Sequence, residues 1–190
     1  MTYYLALIGK RCSGKDTFSI YVSEKYKLPS INFSKIIGQI GLELKLIKEE
    51  ELLNKSKLQY VGNFLRNNYG EKFYTEKLMN NVKNKNYLIN GMRHLGELEY
   101  LKSRLHDKLV LVGIICDDEI RYERAKSIDI VSSLQDFQKL EDNPAEASIE
   151  KLLKKSEYKL TNNNKFDDFY KNIDELFKKI NYNKSLTFNK

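Results

Sequence analysis

Short apolar runs alternate with longer amphipathic segments along the chain. Five of these runs predict strands, at residues 3–8, 30–33, 86–90, 108–116 and 158–160. The third and fourth runs lack polar alternation, which is typical of strands that are covered on both faces. The pattern therefore favours a parallel sheet over a half-exposed antiparallel one.

The segments between the strands predict helices, at residues 14–27, 34–47, 56–68, 71–82, 95–105, 117–127, 145–155 and 165–181. Ser34 has the character of an N-cap. We expect irregular structure at 48–54 and 128–143, a turn at 162–164 and a tail at 182–190. Strands that alternate with helices indicate a single α/β domain, a three-layer sandwich around a five-stranded parallel sheet.

The composition favours a single-domain protein without a membrane span or a disulfide framework. The 190 residues suffice for one domain with a real core. A net charge of +7 suits an anionic partner, although the lysines are spread along the whole chain. Cys12 and Cys116 form neither a metal-type pair nor a disulfide framework, which favours a reduced, cytoplasmic location. No apolar run approaches the roughly twenty residues of a membrane span.

The stretch "GKRCSGKDT", residues 9–17, follows the first predicted strand and opens the first predicted helix. Gly9, Gly14 and Lys15 match the phosphate-binding template G-x-x-x-x-G-K-[ST], whereas Asp16 replaces the hydroxyl residue and Thr17 follows one position late. Glycines let backbone N–H groups turn inward as an anion nest, and the helix N-terminus adds positive potential. The stretch therefore predicts a site for the phosphates of ATP.

Each residue of this loop has an expected role. Lys15 would neutralise the transferred phosphate, and Thr17 would contact phosphate. Asp16 either holds Mg²⁺ through water or only caps the helix, so Asp16 and Thr17 are the candidate metal residues. The residues expected to contact ATP are Gly9, Arg11, Cys12, Ser13, Gly14, Lys15, Asp16 and Thr17.

The amino-acid sequence of the loop resembles that of the P-loop nucleoside and deoxynucleoside monophosphate kinases. The likeness is to phage-type deoxynucleoside monophosphate kinases and to archaeal proteins related to dephospho-CoA kinase; animal phosphomevalonate kinase has a similar loop. Segments 58–78, 87–102, 111–126 and 158–177 resemble further family segments in the expected order. The resemblance implies a sheet of order 2-3-1-4-5, a helical cap at about 34–85 and a lid at about 128–144.

The same resemblance implies roles for arginines. Arg66 and Arg93 match positions that hold the acceptor's phosphate, and Arg124 matches the one that stacks on adenine. Lys15, Arg93 and Arg124 are thus the candidate catalytic residues. Arg121, about one turn before Arg124, could instead form a pair on the helix surface.

Three features of the sequence depart from the family pattern. Asn90 replaces an aspartate that would order Mg²⁺ or the acceptor. The lid has no arginine, and its only cation is Lys139. Ser34 and Lys35 stand where dephospho-CoA kinases carry Asp-x-Asp, which argues against dephospho-CoA as the acceptor and against a carboxylate base at that place. A nucleotide acceptor needs no base, because its phosphate is already anionic.

The sequence thus implies a kinase that uses ATP and Mg²⁺ to phosphorylate a nucleoside or deoxynucleoside monophosphate, or a similar small phosphorylated acceptor. A dephospho-CoA-kinase-like enzyme and a nucleotide-binding regulator with little catalysis stay open. We expect no membrane or nucleic-acid partner, and both a monomer and a homodimer stay open.

Overall fold

The computed structural model describes residues 3–82, 86–142 and 144–186. Its sheet contains five strands: β1 (Tyr4–Ile8), β2 (Ser30–Asn32), β3 (Tyr87–Asn90), β4 (Leu109–Ile115) and β5 (Tyr158–Thr161). Neighbouring strands pair in parallel, in the order β2-β3-β1-β4-β5. The predicted fold class and strand order are therefore confirmed.

Nine α-helices occur in the described residues, and they lie on both sides of the sheet. They are α1 (Lys15–Tyr26), α2 (Phe33–Glu43), α3 (Lys55–Tyr69), α4 (Phe73–Asn80), α5 (Leu95–Leu105), α6 (Asp118–Ser127), α7 (Leu134–Glu141), α8 (Pro144–Lys154) and α9 (Phe166–Leu186). None of them is both long and apolar enough to cross a membrane.

The central strand β1 is buried on both faces. Because successive side chains of a strand point to opposite sides, Tyr4, Ala6 and Ile8 join one apolar core, while Leu5 and Leu7 join the other. The first core also takes side chains from helices α2 to α5 and α8, and the second packs α1 and α9 against the sheet. Helices packed on both faces hold the sheet in place. The loop at residues 9–17 follows the carboxyl end of β1.

The segment 128–143 was predicted as irregular, and this prediction is wrong because it contains helix α7. Ser133 starts the helix, and its hydroxyl accepts a hydrogen bond from the backbone N–H of Asp136 at 3.1 Å. Phe137 is buried in a small core with Ala125 and Val131. The helix is short, so its apolar period was hard to recognise; residue 143 lies outside the described residues.

Other observed element boundaries differ from the predicted ones by a few residues. Asn32, not Ser34, caps α2: its side chain accepts from the N–H of Ser34 at 3.0 Å. Within 48–54 there is a turn of 3-10 helix at Glu49–Glu51. The tail predicted at 182–190 is wrong for its first part, since α9 continues to Leu186; residues 187–190, like 83–85 of the predicted cap, lie outside the described residues.

Candidate functional site

The loop after β1 can only be built with glycine at both ends. A Cβ atom on Gly9 would lie 2.4 Å from the Ser13 hydroxyl and 2.9 Å from the carbonyl oxygen of Ile114. Gly14 has φ +104°, and a Cβ atom there would lie 2.1 Å from the amide nitrogen of Asn162. Both matches to the phosphate-binding template are therefore required by the local geometry.

Lys15 reaches back across this loop. Its Nζ atom donates to the carbonyl oxygens of Gly9 at 2.7 Å and Lys10 at 2.8 Å. Burial and then the charge of Arg93 lower the pKa of Lys15 to about 8, while the carboxylates of Asp16 and Glu146 act in the opposite direction. The Lys15 ammonium is thus buried near another cation, and an anion that bound here would stabilise its charge.

The other residues of the loop differ in burial and backbone conformation. Cys12 adopts φ +59°, and burial raises the pKa of its thiol. Ser13 is buried, and its hydroxyl has no hydrogen-bond partner among the described residues. Asp16 is exposed in the first turn of α1, whereas Arg11 and Thr17 are partly buried.

The turn after β5 holds the loop in place. The side-chain amide of Asn162, which is buried, donates to the Ser13 carbonyl at 2.8 Å. The carbonyl of Asn162 accepts from Arg124 at 3.0 Å, and Arg124 also donates to the Cys12 carbonyl at 3.4 Å and to the Cys116 sulfur at 3.3 Å. Arg124 therefore lies beside the phosphate-binding loop.

A buried hydrogen-bond chain links the two arginines expected to hold the acceptor. Arg66 on α3 donates to the hydroxyl of Tyr74 at 2.9 Å, and Tyr74 donates to the carboxylate of Glu97. The other oxygen of Glu97 accepts from the backbone N–H groups of Arg93 at 2.7 Å and His94 at 3.1 Å. Cap helices α3 and α4 are thereby connected to the end of β3.

Both arginines act electrostatically on the partly buried side chain of His94. Burial, followed by the charges of Arg66 and Arg93, lowers the pKa of His94 to about 4. Two guanidinium groups from segments 27 positions apart thus act on one imidazole. Because guanidinium groups bind phosphate oxygens in two places, the arrangement is a candidate anion site.

Glu146 on α8 completes the surroundings of Arg93. One of its oxygens accepts from the Arg93 guanidinium at 3.1 Å, and its side chain is only 5% exposed, against 37% for Arg93. The other oxygen, Oε2, has no hydrogen-bond partner among the described residues. A buried carboxylate with one unpaired oxygen therefore lies beside the Arg93 guanidinium.

The segment predicted as a lid is tied to the loop by Glu141, at the end of α7. Its carboxylate accepts from Arg121 at 2.8 and 2.6 Å and from Lys10 at 3.2 Å. Although burial acts to raise the pKa of Glu141, the hydrogen bonds of Arg121 and Lys10 outweigh it and lower that pKa. The suggestion that Arg121 forms a surface pair is wrong: its side chain is fully buried, and it also donates to the Arg11 carbonyl at 3.1 Å.

The single lysine of this segment does not replace the missing arginines. Lys139 is 70% exposed, and the acidic group beside it is Asp136 of its own helix, at 3.9 Å. The segment instead offers a carboxylate to cations of the loop and of α6.

The residues near the loop provide few metal ligands. In 3–82, 86–142 and 144–186, no group of three His, Cys, Asp or Glu side chains could hold a metal ion. Asn90 donates to the Ser19 hydroxyl at 3.2 Å, and its Oδ1 atom has no partner among those residues. This fits Mg²⁺ only in its usual nucleotide-bound form, in which phosphates and water supply most ligands and the chain one or two.

Sequence reasoning missed several residues that organise the site. Glu97 had a local signal, because a glutamate three positions after His94 is typical of a helix start. Tyr74, Asn162, Glu141 and Glu146 had none, since their partners are distant in sequence: Glu146 lies 53 positions from Arg93, and Asn162 lies 149 from Ser13.

Comparison by sequence finds distant relatives. No protein-family model matches the chain. It is 26% identical over 187 residues to a UPF0200 protein of Methanococcus vannielii, with 93% of this chain and 95% of that protein covered. It is 23% identical over 184 residues to a UPF0200/UPF0201 protein of Archaeoglobus fulgidus, covering 93% and 55%. The chain thus spans about half the length of the Archaeoglobus relative.

Comparison by structure finds P-loop kinases. Shikimate kinase from Aquifex aeolicus superposes with a TM-score of 0.56 at 18% identity, covering 95% of this chain and 97% of that one. Dephospho-CoA kinase from Campylobacter jejuni gives 0.55 at 20% identity, covering 95% and 98%. At these identities the likeness establishes the P-loop kinase fold.

The lowered pKa of Lys15 predicts a pH-dependent stability. Below about pH 8 both the folded and unfolded chains are protonated, so the cost of burying the charge is complete. Between about 8 and 10.5 the unfolded chain keeps a proton that the folded protein has released, so stability rises with pH. We expect wild type to gain about 2–3 kcal/mol relative to Lys15→Met from pH 7 to 10.5.

Urea unfolding of the ligand-free proteins at several pH values measures this difference. Comparing the two proteins at each pH cancels the titration of all other groups. A difference that stays constant across the window would contradict the lowered pKa.

Proposed function

We propose that this protein is a kinase that transfers the γ-phosphoryl group of ATP to a small phosphorylated acceptor. The observation that carries the proposal is the Lys15 ammonium, held over a glycine-bounded loop between a buried strand and a helix N-terminus. The P-loop kinase fold supports it.

On the ATP side, the loop from Gly9 to Thr17 supplies the phosphate site. Its backbone N–H groups and the positive end of α1 favour polyanionic phosphate. Phosphate oxygens would replace the carbonyl partners of Lys15 and raise the pKa of its ammonium. Arg124, beside the Cys12 carbonyl, would cover the adenine ring next to an open depression of about 490 Å³ that it lines with Ile120 and Glu123.

On the acceptor side, Arg66 and Arg93 bind the phosphate that the acceptor already carries. Both guanidinium groups act on His94, and Glu97 connects their segments through hydrogen bonds. A paired arginine site suits a phosphate monoester, because each guanidinium can offer two parallel N–H donors. Arg93 is shared with the reaction centre, since its charge also reaches Lys15.

Phosphoryl transfer needs positive charge where negative charge spreads, together with exclusion of water. Lys15 and Arg93 supply charge at fixed places. Mg²⁺, when bound with the nucleotide, would neutralise phosphate charge, and Asp16 and Thr17 are the chain's nearest candidates to hold it directly or through water.

Two classes of acceptor fit a site in which Arg66 and Arg93 hold a phosphate. A nucleoside or deoxynucleoside monophosphate is the class that the sequence resemblance implies. A phosphorylated metabolite that reacts through a hydroxyl group, as dephospho-CoA would, is the second, and the enclosed carboxylate of Glu146 favours it.

The Lys15→Ala variant tests the proposal. We expect acceptor-dependent formation of ADP to fall by at least about 10²-fold, because removing one preorganised positive donor costs a transferring group that much stabilisation. Screening nucleoside monophosphates, deoxynucleoside monophosphates and dephospho-CoA with ATP and Mg²⁺ provides the assay. Lys178→Ala, an exposed position on α9, is the control and should keep its turnover. Full turnover by Lys15→Ala would contradict the proposal.

The Arg66→Ala variant tests the acceptor site. We expect the KM for the acceptor to rise about 10- to 100-fold, with the KM for ATP nearly unchanged, since a hydrogen bond to a charged group contributes about 1.5–3 kcal/mol. Steady-state kinetics with each substrate varied in turn separates the two constants.

Arg104→Ala, on the exposed side of α5, is the matched control and should leave both constants unchanged. Thermal unfolding checks that loss of the Arg66 hydrogen bond to Tyr74 has not unfolded the cap. An equal rise in both KM values would argue against a separate acceptor site at Arg66.

A further inference from the structure

One enclosed acidic side chain, that of Glu146 on α8, lies outside the residues proposed to hold ATP and the acceptor's phosphate. Glu146 has a side chain that is 5% exposed, and only one of its two oxygens is engaged, by Arg93 at 3.1 Å. Its Oε2 atom is buried and has no hydrogen-bond partner within the described residues. Because an unpaired buried carboxylate oxygen is costly, we expect a ligand to supply its partner.

The chemistry of that oxygen restricts what the ligand can be. An ionised carboxylate only accepts hydrogen bonds. The oxygens of an ionised phosphate are acceptors too, and they would be repelled by the carboxylate. A hydroxyl group can donate, so an alcohol fits this position better than a phosphate.

The ion pair with Arg93 places Glu146 near the carboxyl end of β3, which runs parallel to β1 and so ends at the same edge of the sheet as the loop at residues 9–17. The charge of Glu146 acts on Lys15, which marks the transferred phosphoryl group. The other carboxylate acting on Lys15, that of Asp16, is exposed in the first turn of α1. At the ends of the neighbouring strands stand Ser34 and Lys35 after β2 and the amide Asn90 in β3, and none of these is a carboxylate.

We propose that Glu146 is the general base of the reaction and that the group it activates is a hydroxyl of a small phosphorylated metabolite. This inference rests on the proposed kinase function. The hydroxyl oxygen forms a bond to the γ-phosphorus of ATP, and its proton passes to Oε2 of Glu146. The bond between the γ-phosphorus and the β–γ bridging oxygen breaks, its electron pair leaves with ADP, and Glu146 then releases the proton to water.

Arg93 serves two groups in this arrangement. Its hydrogen bond to the first oxygen of Glu146 holds the carboxylate in place and leaves Oε2 without a partner among the described residues. With Arg66, it also holds the phosphate that the acceptor already carries, which is not the reacting group. The acceptor is therefore a molecule that carries a phosphate, held by Arg66 and Arg93, and a free hydroxyl that reaches Glu146.

The identity of the new bond tests the inference on the wild-type protein. The protein is incubated with ATP, Mg²⁺ and each member of an acceptor panel: nucleoside and deoxynucleoside monophosphates, dephospho-CoA, ribose 5-phosphate and glycerol 3-phosphate. Phosphorus NMR distinguishes a new phosphate monoester, formed on a hydroxyl, from a phosphoanhydride, formed on a phosphate. We expect a monoester.

The Glu146→Gln variant tests the base itself. Glutamine keeps the volume and can still accept from Arg93, but it cannot take a proton. With the best acceptor we expect kcat to fall about 10²- to 10⁴-fold and the acceptor KM to change less than about threefold. Glu99→Gln, at an exposed position on α5, is the control and should change kcat less than about threefold.

The outcomes separate the two proposals. An anhydride product, or a folded Glu146→Gln protein within about threefold of wild-type kcat, overturns the role of Glu146 and leaves the kinase intact. Absence of acceptor-dependent turnover by the wild type overturns the kinase proposal and this inference with it. Because product identity is read on the wild type, the inference stays falsifiable even if Glu146→Gln does not fold.

Discussion

Positive charge is concentrated where β1 and β3 end, and the site is organised around it. Burial and the nearby charge of Arg93 lower the pKa of Lys15 to about 8, so the ligand-free loop holds its cation at a cost. Two loop carbonyls and the Glu146 carboxylate offset part of this cost. A polyphosphate would offset the rest, which is why this arrangement suits a nucleotide.

The neighbouring elements keep this charge in place through buried polar contacts between distant segments. Glu97 joins the cap to the end of β3, Asn162 joins the last strand to the loop, and Glu141 joins α7 to Lys10 and Arg121. Each contact satisfies groups that would otherwise be buried without partners. The contacts of Asn162 and Glu141 both reach the loop at residues 9–17, whereas Glu97 holds the cap against the end of β3.

The sequence predicted the fold and the loop because both depend on local signals. Apolar runs buried on both faces indicated a parallel sheet, and Gly9, Gly14 and Lys15 carry geometry that few other residues allow. Helix α7 was missed although it is amphipathic, because its eight residues make only about two turns. The contact of Glu146 with Arg93 could not be predicted, since it depends on how α8 packs on the sheet.

The central claim is that the loop at residues 9–17 holds the phosphates of ATP. A titration of the isotope-labelled protein with ATP and Mg²⁺, followed by amide NMR, tests it most directly. We predict that the largest shifts fall on the backbone amides of residues 9–17, with smaller ones around Arg124, and that both disappear in Lys15→Met. Saturating ATP that leaves these amides unmoved, or that moves a different surface, would contradict the account.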